Sequence, residues 1–171
     1  MIATLLLIVL GAAAPSAAAP TGHDATIQHR FEDAKAWAKV FDDPSRDSWQ
    51  KPEALFAVLH VTPGATVADL GAGTGYFSVR LARAVGAAGR VLALDVEPGL
   101  VAYMKARMER EKLPQVEAKL VPADDPGLPK AGVDLVLIVD TWHHLDDRLH
   151  YVAKLAAGLK PGGRVAVVDF K

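Results

Sequence analysis

Asp69, Gly71, Gly73 and Gly75 stand at every second position, directly after the apolar run Val67-Ala68. A strand that runs into an acid and three glycines lets the backbone approach a ligand, and a helix that follows opens with unpaired N–H groups. This is the chemistry of a nucleotide-type cofactor laid across a strand end. A dinucleotide fingerprint, G-x-G-x-x-G, places its third glycine three residues after its second. That position is Tyr76, and the glycine is Gly75 instead, so the spacing disfavours a nicotinamide dinucleotide. Asp95 ends a second apolar run and can accept from both hydroxyls of a ribose, as the acid does in dinucleotide folds; capping the next helix is its alternative task. Asp140-Thr141-Trp142-His143-His144-Leu145 follows a third apolar run. Histidine titrates near neutrality, so His143 or His144 can take a proton from an O, N or C–H nucleophile, or can pack within its loop. No Tyr-x-x-x-Lys pattern for hydride transfer accompanies these residues.

Such residues work only if one edge of a scaffold gathers them. Apolar residues at helical spacing predict a helix over Ile27–Phe41, then a polar turn at Asp42–Asp47 and a second helix from Pro52 to about His60. Strands are expected at 66–70, 90–95, 116–121, 133–139 and 164–170, alternating with helices at 75–85, 98–112 and 147–159. Gly86 and Gly89 close the first of these helices, Pro114 stops the second, and Lys160-Pro161-Gly162-Gly163 turns the third into the last strand. Val133–Val139 is continuously apolar, as in a parallel strand covered on both faces. The alternation implies an α/β doubly wound parallel sheet, and in that fold ligands lie at the carboxyl ends of the strands.

The Asp69-x-Gly71-x-Gly73-x-Gly75 run resembles motif I of class I S-adenosylmethionine-dependent methyltransferases. The Trp142-His143-His144-Leu145 segment resembles one found in small-molecule members, and Leu159-Lys160-Pro161-Gly162-Gly163-Arg164-Val165 resembles the turn before their fifth strand. The resemblance covers about residues 50–171. It implies a Rossmann-like, mostly parallel sheet, S-adenosyl-L-methionine as cofactor and a small-molecule methyl acceptor. It also implies site residues. Gly71, Ala72, Gly73 and Gly75 would wrap the cofactor, Asp69 would accept from its ammonium, and Asp95 would hold its ribose. Val96 would pack on the adenine, Asp124 would meet the adenine amino group (an Asx turn before Pro126 is its alternative), and Asp140 would complete the set. His143 and His144 are the catalytic candidates. Trp142 lines the substrate side. Asp43–Pro52 resembles a segment of exported bacterial members, and chain before the first strand often folds over the site in this family, so Arg46, Asp47 and Trp49 would line a lid; a solvated turn is the alternative. Asp140 and Asp169 end neighbouring strands, as the oxygen ligands of metal-dependent catechol-type members do. Those members carry an acid plus an asparagine at the second position, whereas Phe170 follows Asp169 here, so no metal is expected. A binding module that keeps the fold without turnover is the competing reading.

Composition bounds the remainder. The chain has 171 residues, 51% of them hydrophobic, with a net charge of −1, enough for one domain with a core and without the basic patch that nucleic acid requires. There is no cysteine, which excludes disulfides, zinc–thiolate sites, thiol nucleophiles and a lipoprotein anchor. Residues 1–20 combine an apolar core, Ile2–Leu10, with small residues and A-x-A-like options near Ala17–Ala19. They read as a signal peptide or N-terminal anchor, although no Lys or Arg precedes the apolar core. The expected organisation is therefore leader 1–20, helical lid segment 21–60 and cofactor-binding domain 61–171. A periplasmic or membrane-associated location is expected, or a cytoplasmic one if the leader is misassigned, with membrane contact through the leader alone. Relative to the family, the last two strands of the sheet are expected to be missing: either the chain is a fragment, or its fifth strand is left as an apolar edge, which would favour a homo-oligomer.

Overall fold

The structure, a computed structural model, describes residues 34–169. The expected leader, the linker after it, the start of the first helix and Phe170–Lys171 lie outside the described residues.

Five parallel strands form the sheet: β1 (Thr66–Leu70), β2 (Arg90–Asp95), β3 (Val116–Leu120), β4 (Val133–Val139) and β5 (Leu159–Val168), in the order β3-β2-β1-β4-β5. The order reverses between β1 and β4, and this switch point opens a crevice at the carboxyl ends of the strands. β1 sits in register with both neighbours, Asp69 opposite Ala93 of β2 and Leu137 of β4. Strand alternation divides the apolar side chains between two faces. Val67, Val91, Leu135 and Leu137 pack with Leu55, Leu59, Phe77 and Leu81 on one face, whereas Ala68, Leu92, Val136 and Ile138 pack with Tyr151 and Leu155 on the other. The helices supplying these partners are α3 (Pro52–Leu59) and α4 (Tyr76–Val85) on the first face and α6 (Arg148–Gly158) on the second; α5 (Pro98–Arg110) joins the first face through Val101 and Met104 on Ala93 and Ala118. Each fully buried Val or Leu contributes about 1.5–3 kcal/mol, which is why β4, buried from Leu135 to Val139, holds the centre of the sheet.

Two expectations are corrected. The polar stretch at Asp42–Asp47 is not a simple turn: after α1 (Ala34–Phe41) a short helix, α2 (Arg46–Gln50), begins within it. Asp43 Oδ1 accepts from the Ser45 N–H at 2.8 Å, and the Arg46 N–H donates to the Asp43 carbonyl at 2.9 Å, so side chain and backbone together start the turn. The fifth strand begins at Leu159 rather than Arg164. Val133 pairs with Leu159 and Leu135 with Arg164, so Lys160–Gly163 is looped out of a ladder that closes on both sides of it. Gly162, at φ +81°, allows that excursion. Elsewhere the expected elements shorten by one or two residues at their ends. Among the described residues no helix is long and apolar enough to cross a membrane.

Candidate functional site

Asp69 and Asp95 reach the crevice buried, at the ends of β1 and β2, and a half-buried Asp140 follows β4. Asp69 Oδ2 accepts from the Ser78 hydroxyl of α4 at 2.5 Å. Burial pushes its carboxyl up to about 6, against the Ser78 hydrogen bond, and nearby Asp95 adds to the rise. Asp95 Oδ2 accepts from the Gly73 N–H at 2.7 Å and Oδ1 from the Glu97 N–H at 3.0 Å. Burial raises this carboxyl as well, while the backbone donors hold it down. Asp140 adopts φ +50°, uncommon for a residue with a side chain. It accepts from the Gln50 amide and has Arg46 Nη2 at 3.8 Å. Burial raises its carboxyl, opposed by Gln50 and Arg46.

The glycine turn between β1 and α4 spends its donors within the protein. The Gly71 and Ala72 N–H groups both donate to the Leu94 carbonyl, at 2.9 and 3.0 Å, the Gly73 N–H donates to Asp95, and the Gly75 N–H donates to the Ala72 carbonyl at 2.8 Å. At Gly71, φ is +72°, and a Cβ would fall 2.1 Å from Thr141 Oγ1, so the missing side chain lets the loop after β4 close over the loop after β1. A phosphate site needs these N–H groups aimed at the ligand. Here the crevice instead presents acidic acceptors. That set of acceptors fits a ligand carrying an ammonium group and ribose hydroxyls, which Asp69, Asp95 and Asp140 would hold.

The N-terminal segment lies on the same crevice. Arg46 stacks over the Tyr76 ring at 4.3 Å and approaches Trp49 and Phe77 at 5.8 and 5.7 Å, and its Nη1 donates to the Phe41 carbonyl at 2.9 Å. Its Nε is buried without a partner among the described residues. Asp47 takes the Tyr76 hydroxyl and, at 2.8 Å, Arg80 Nη2. Asp42 Oδ1 accepts from Thr74 Oγ1 at 2.9 Å and Arg107 Nη1 at 2.7 Å, and Arg107 also donates to the Thr74 carbonyl at 3.1 Å.

His143 and His144 lie in a 3₁₀ turn, Trp142–His144, after β4, with ring centroids 4.0 Å apart. Trp142 packs with the cluster on the α6 face. Val96 is half exposed beyond Asp95. Asp124 stands apart from these residues: its side chain is 85% exposed, with Lys154 Nζ 3.9 Å away. The Asx turn in that loop belongs to Asp125, whose Oδ1 accepts from the Gly127 N–H at 2.8 Å. Sequence reasoning did not find Gln50, Ser78, Asp42 or Arg107. Each meets the site across a gap in the chain that no local pattern marks. Among the described residues no group of three or more acidic or histidine side chains is placed to hold a metal.

A doubly wound parallel sheet with a glycine turn and acidic strand ends at its switch point defines a Rossmann-like cofactor-binding protein. The methyltransferase domain family matches residues 67–163, and the chain belongs to that family. An S-adenosylmethionine-dependent methyltransferase of Aquifex aeolicus is 31% identical, with 80% of this chain and 72% of that one covered and a TM-score of 0.75. An S-adenosylmethionine-dependent O-methyltransferase of Thermotoga maritima is 25% identical over 69% of this chain and 43% of that one, with a TM-score of 0.56. The demethylmenaquinone methyltransferase of Bacillus cereus is 28% identical over 122 residues, which are 71% of this chain and 51% of that protein. The chain thus spans about half the length of the curated relatives it matches.

Proposed function

We propose that this protein transfers a methyl group from S-adenosyl-L-methionine to a small-molecule acceptor. The observation that carries the reading is the crevice itself: buried Asp69 and Asp95 with Asp140 beside them, next to a glycine turn whose N–H groups are already satisfied. The family membership and the relatives' names point the same way. The cofactor supplies an activated methyl group. The protein's own work is to hold the ammonium on Asp69, the ribose on Asp95 and the adenine beside Val96, and to orient the acceptor. Alignment of the reacting atoms provides most of the acceleration in such a transfer. Arg46 and Trp49 act with Trp142 as the lining on the acceptor side, and residues 34–50 form the lid, whereas α3 of the expected lid segment packs into the core through Leu55 and Leu59. The 1–20 segment directs export or anchoring, which Edman sequencing of the protein recovered from a cell envelope fraction would test by finding a new start near Ala19.

Titration calorimetry with S-adenosyl-L-methionine, S-adenosylhomocysteine and NAD tests the reading. Binding of both sulfur ligands at about micromolar Kd, equivalent to about −8 kcal/mol, with none of NAD is the expected result. A folded sample that binds none of them is a non-catalytic member; preference for NAD would overturn the cofactor assignment.

A further inference from the structure

We propose that Asp169 is a positioning residue that fixes His143 as proton acceptor for the methyl-accepting nucleophile, so the acceptor is one that loses a proton from O, N or C on methylation. The inference rests on the methyl-transfer reading above.

The Asp140 N–H donates to the Val168 carbonyl at 2.9 Å, which holds the end of β5 beside the end of β4. Asp169 is the next residue of the chain, and the 3₁₀ turn Trp142–His144 crosses it. Asp169 Oδ2 accepts from the His143 backbone N–H at 2.9 Å, and Oδ1 lies 2.8 Å from the His143 ring Nδ1. One carboxylate therefore grips both the backbone and the ring of the same residue. An ionised carboxylate only accepts, so both contacts are donated by His143, and in the neutral ring the proton sits on Nδ1. The lone pair is then on Nε2, across the ring. The His143 side chain is 47% exposed, so the ring is partly open to solvent.

Among the described residues, the charged and titratable groups around the ring include Asp169 after β5, Asp140 after β4, His144 in the same turn and Arg148 of α6, whose Nη2 is 3.4 Å from the His143 carbonyl. When the acceptor's O–H, N–H or C–H bond breaks, its electron pair stays on the acceptor, which becomes the nucleophile. The proton bonds to Nε2, and the resulting imidazolium faces the Asp169 carboxylate. An acceptor with no proton to lose, such as a thioether or a tertiary amine, has no use for this pair.

The test is nitrogen-15 NMR of the full chain labelled at histidine, comparing wild type with Asp169→Asn at neutral pH. In wild type, neutral His143 is expected in the Nδ1–H form. Asparagine has the same shape but one acceptor and one donor. Its oxygen takes the His143 backbone N–H, its NH₂ faces Nδ1, and the proton moves to Nε2. Carbethoxylation of His143 by diethyl pyrocarbonate, read by mass spectrometry, should then slow by about tenfold as the Nε2 lone pair is lost. A wild-type ring in the Nε2–H form overturns the proposal without recourse to the variant, and so does a tautomer that Asp169→Asn leaves unchanged. Titration of wild type with S-adenosyl-L-methionine reports separately on the methyl-transfer reading, so the two can fail independently.

Discussion

At the scale of single residues, Asp95 shows how a side chain can serve the protein and a ligand at once. Its two oxygens already accept from the Gly73 and Glu97 N–H groups, yet a carboxylate has about four lone-pair sites and retains capacity for a ligand. Asp95→Ala should weaken cofactor binding by about 1–3 kcal/mol through lost charge-assisted hydrogen bonds. Calorimetry showing unchanged affinity would remove the ribose assignment. The types of these residues were legible in the chain, because an acid followed by alternate glycines has few other uses. Their hydrogen bonds were not. The bond from Gly73 to Asp95 joins the glycine turn after β1 to the end of β2, and nothing in the local sequence announces it. In the loop after β3, Asp124 stands exposed while its neighbour Asp125 makes the Asx turn.

At the scale of elements, the N-terminal segment is tied to the glycine turn at one point. Asp42, just past α1, accepts from both Thr74 of the turn and Arg107 of α5, and all three lie largely out of solvent. Arg107→Ala and Asp42→Ala should each destabilise the fold, and a double-mutant cycle from urea melts should give a coupling of about 1–3 kcal/mol. A coupling near zero would mean that the Asp42–Arg107 pair does not hold the segment, leaving Asp47 on Arg80, Gln50 on Asp140 and apolar contacts such as Phe41 beside Gly73. Strand and helix positions were readable because apolar periodicity survives in each of them. The short helix at Arg46–Gln50 was not: its composition is polar, and its stability comes from Arg46 on Tyr76 and Gln50 on Asp140, which are contacts with distant parts of the chain.

For the whole molecule, the buried acids set a pH dependence. The folded Asp69 carboxyl sits at about 6 against an ordinary value of 3.8, with burial as the main cause. The folded state therefore holds that proton more tightly than the unfolded chain. Its contribution is favourable below the unfolded value and is lost as pH rises through about 6, a cost on the order of 2–3 kcal/mol near neutrality. Asp69→Asn keeps an acceptor for Ser78 and removes the charge. Thermal melts should place this variant above wild type at about pH 7, with the gap closing toward about pH 4; parallel curves would show that burial does not strain this group. Cofactor binding should run the other way in wild type. An ammonium binds the ionised carboxyl, so affinity should rise between about pH 5 and 7.

The sequence by itself determined the alternation of strands and helices, the glycine turn and the acids at the strand ends, because these follow from side-chain period and from the backbone freedom of glycine. It also determined that no thiol takes part. Only the tertiary structure decided which residues share the crevice. The register of β1 against β2 and β4, and the alignment of β5 with β4, bring Asp69, Asp95, Asp140 and Asp169 to one edge, and the N-terminal segment then covers it with Arg46 and Gln50. Hydrogen bonds and burial between residues far apart in the chain depend on that assembly, and burial is what turns ordinary aspartates into perturbed ones.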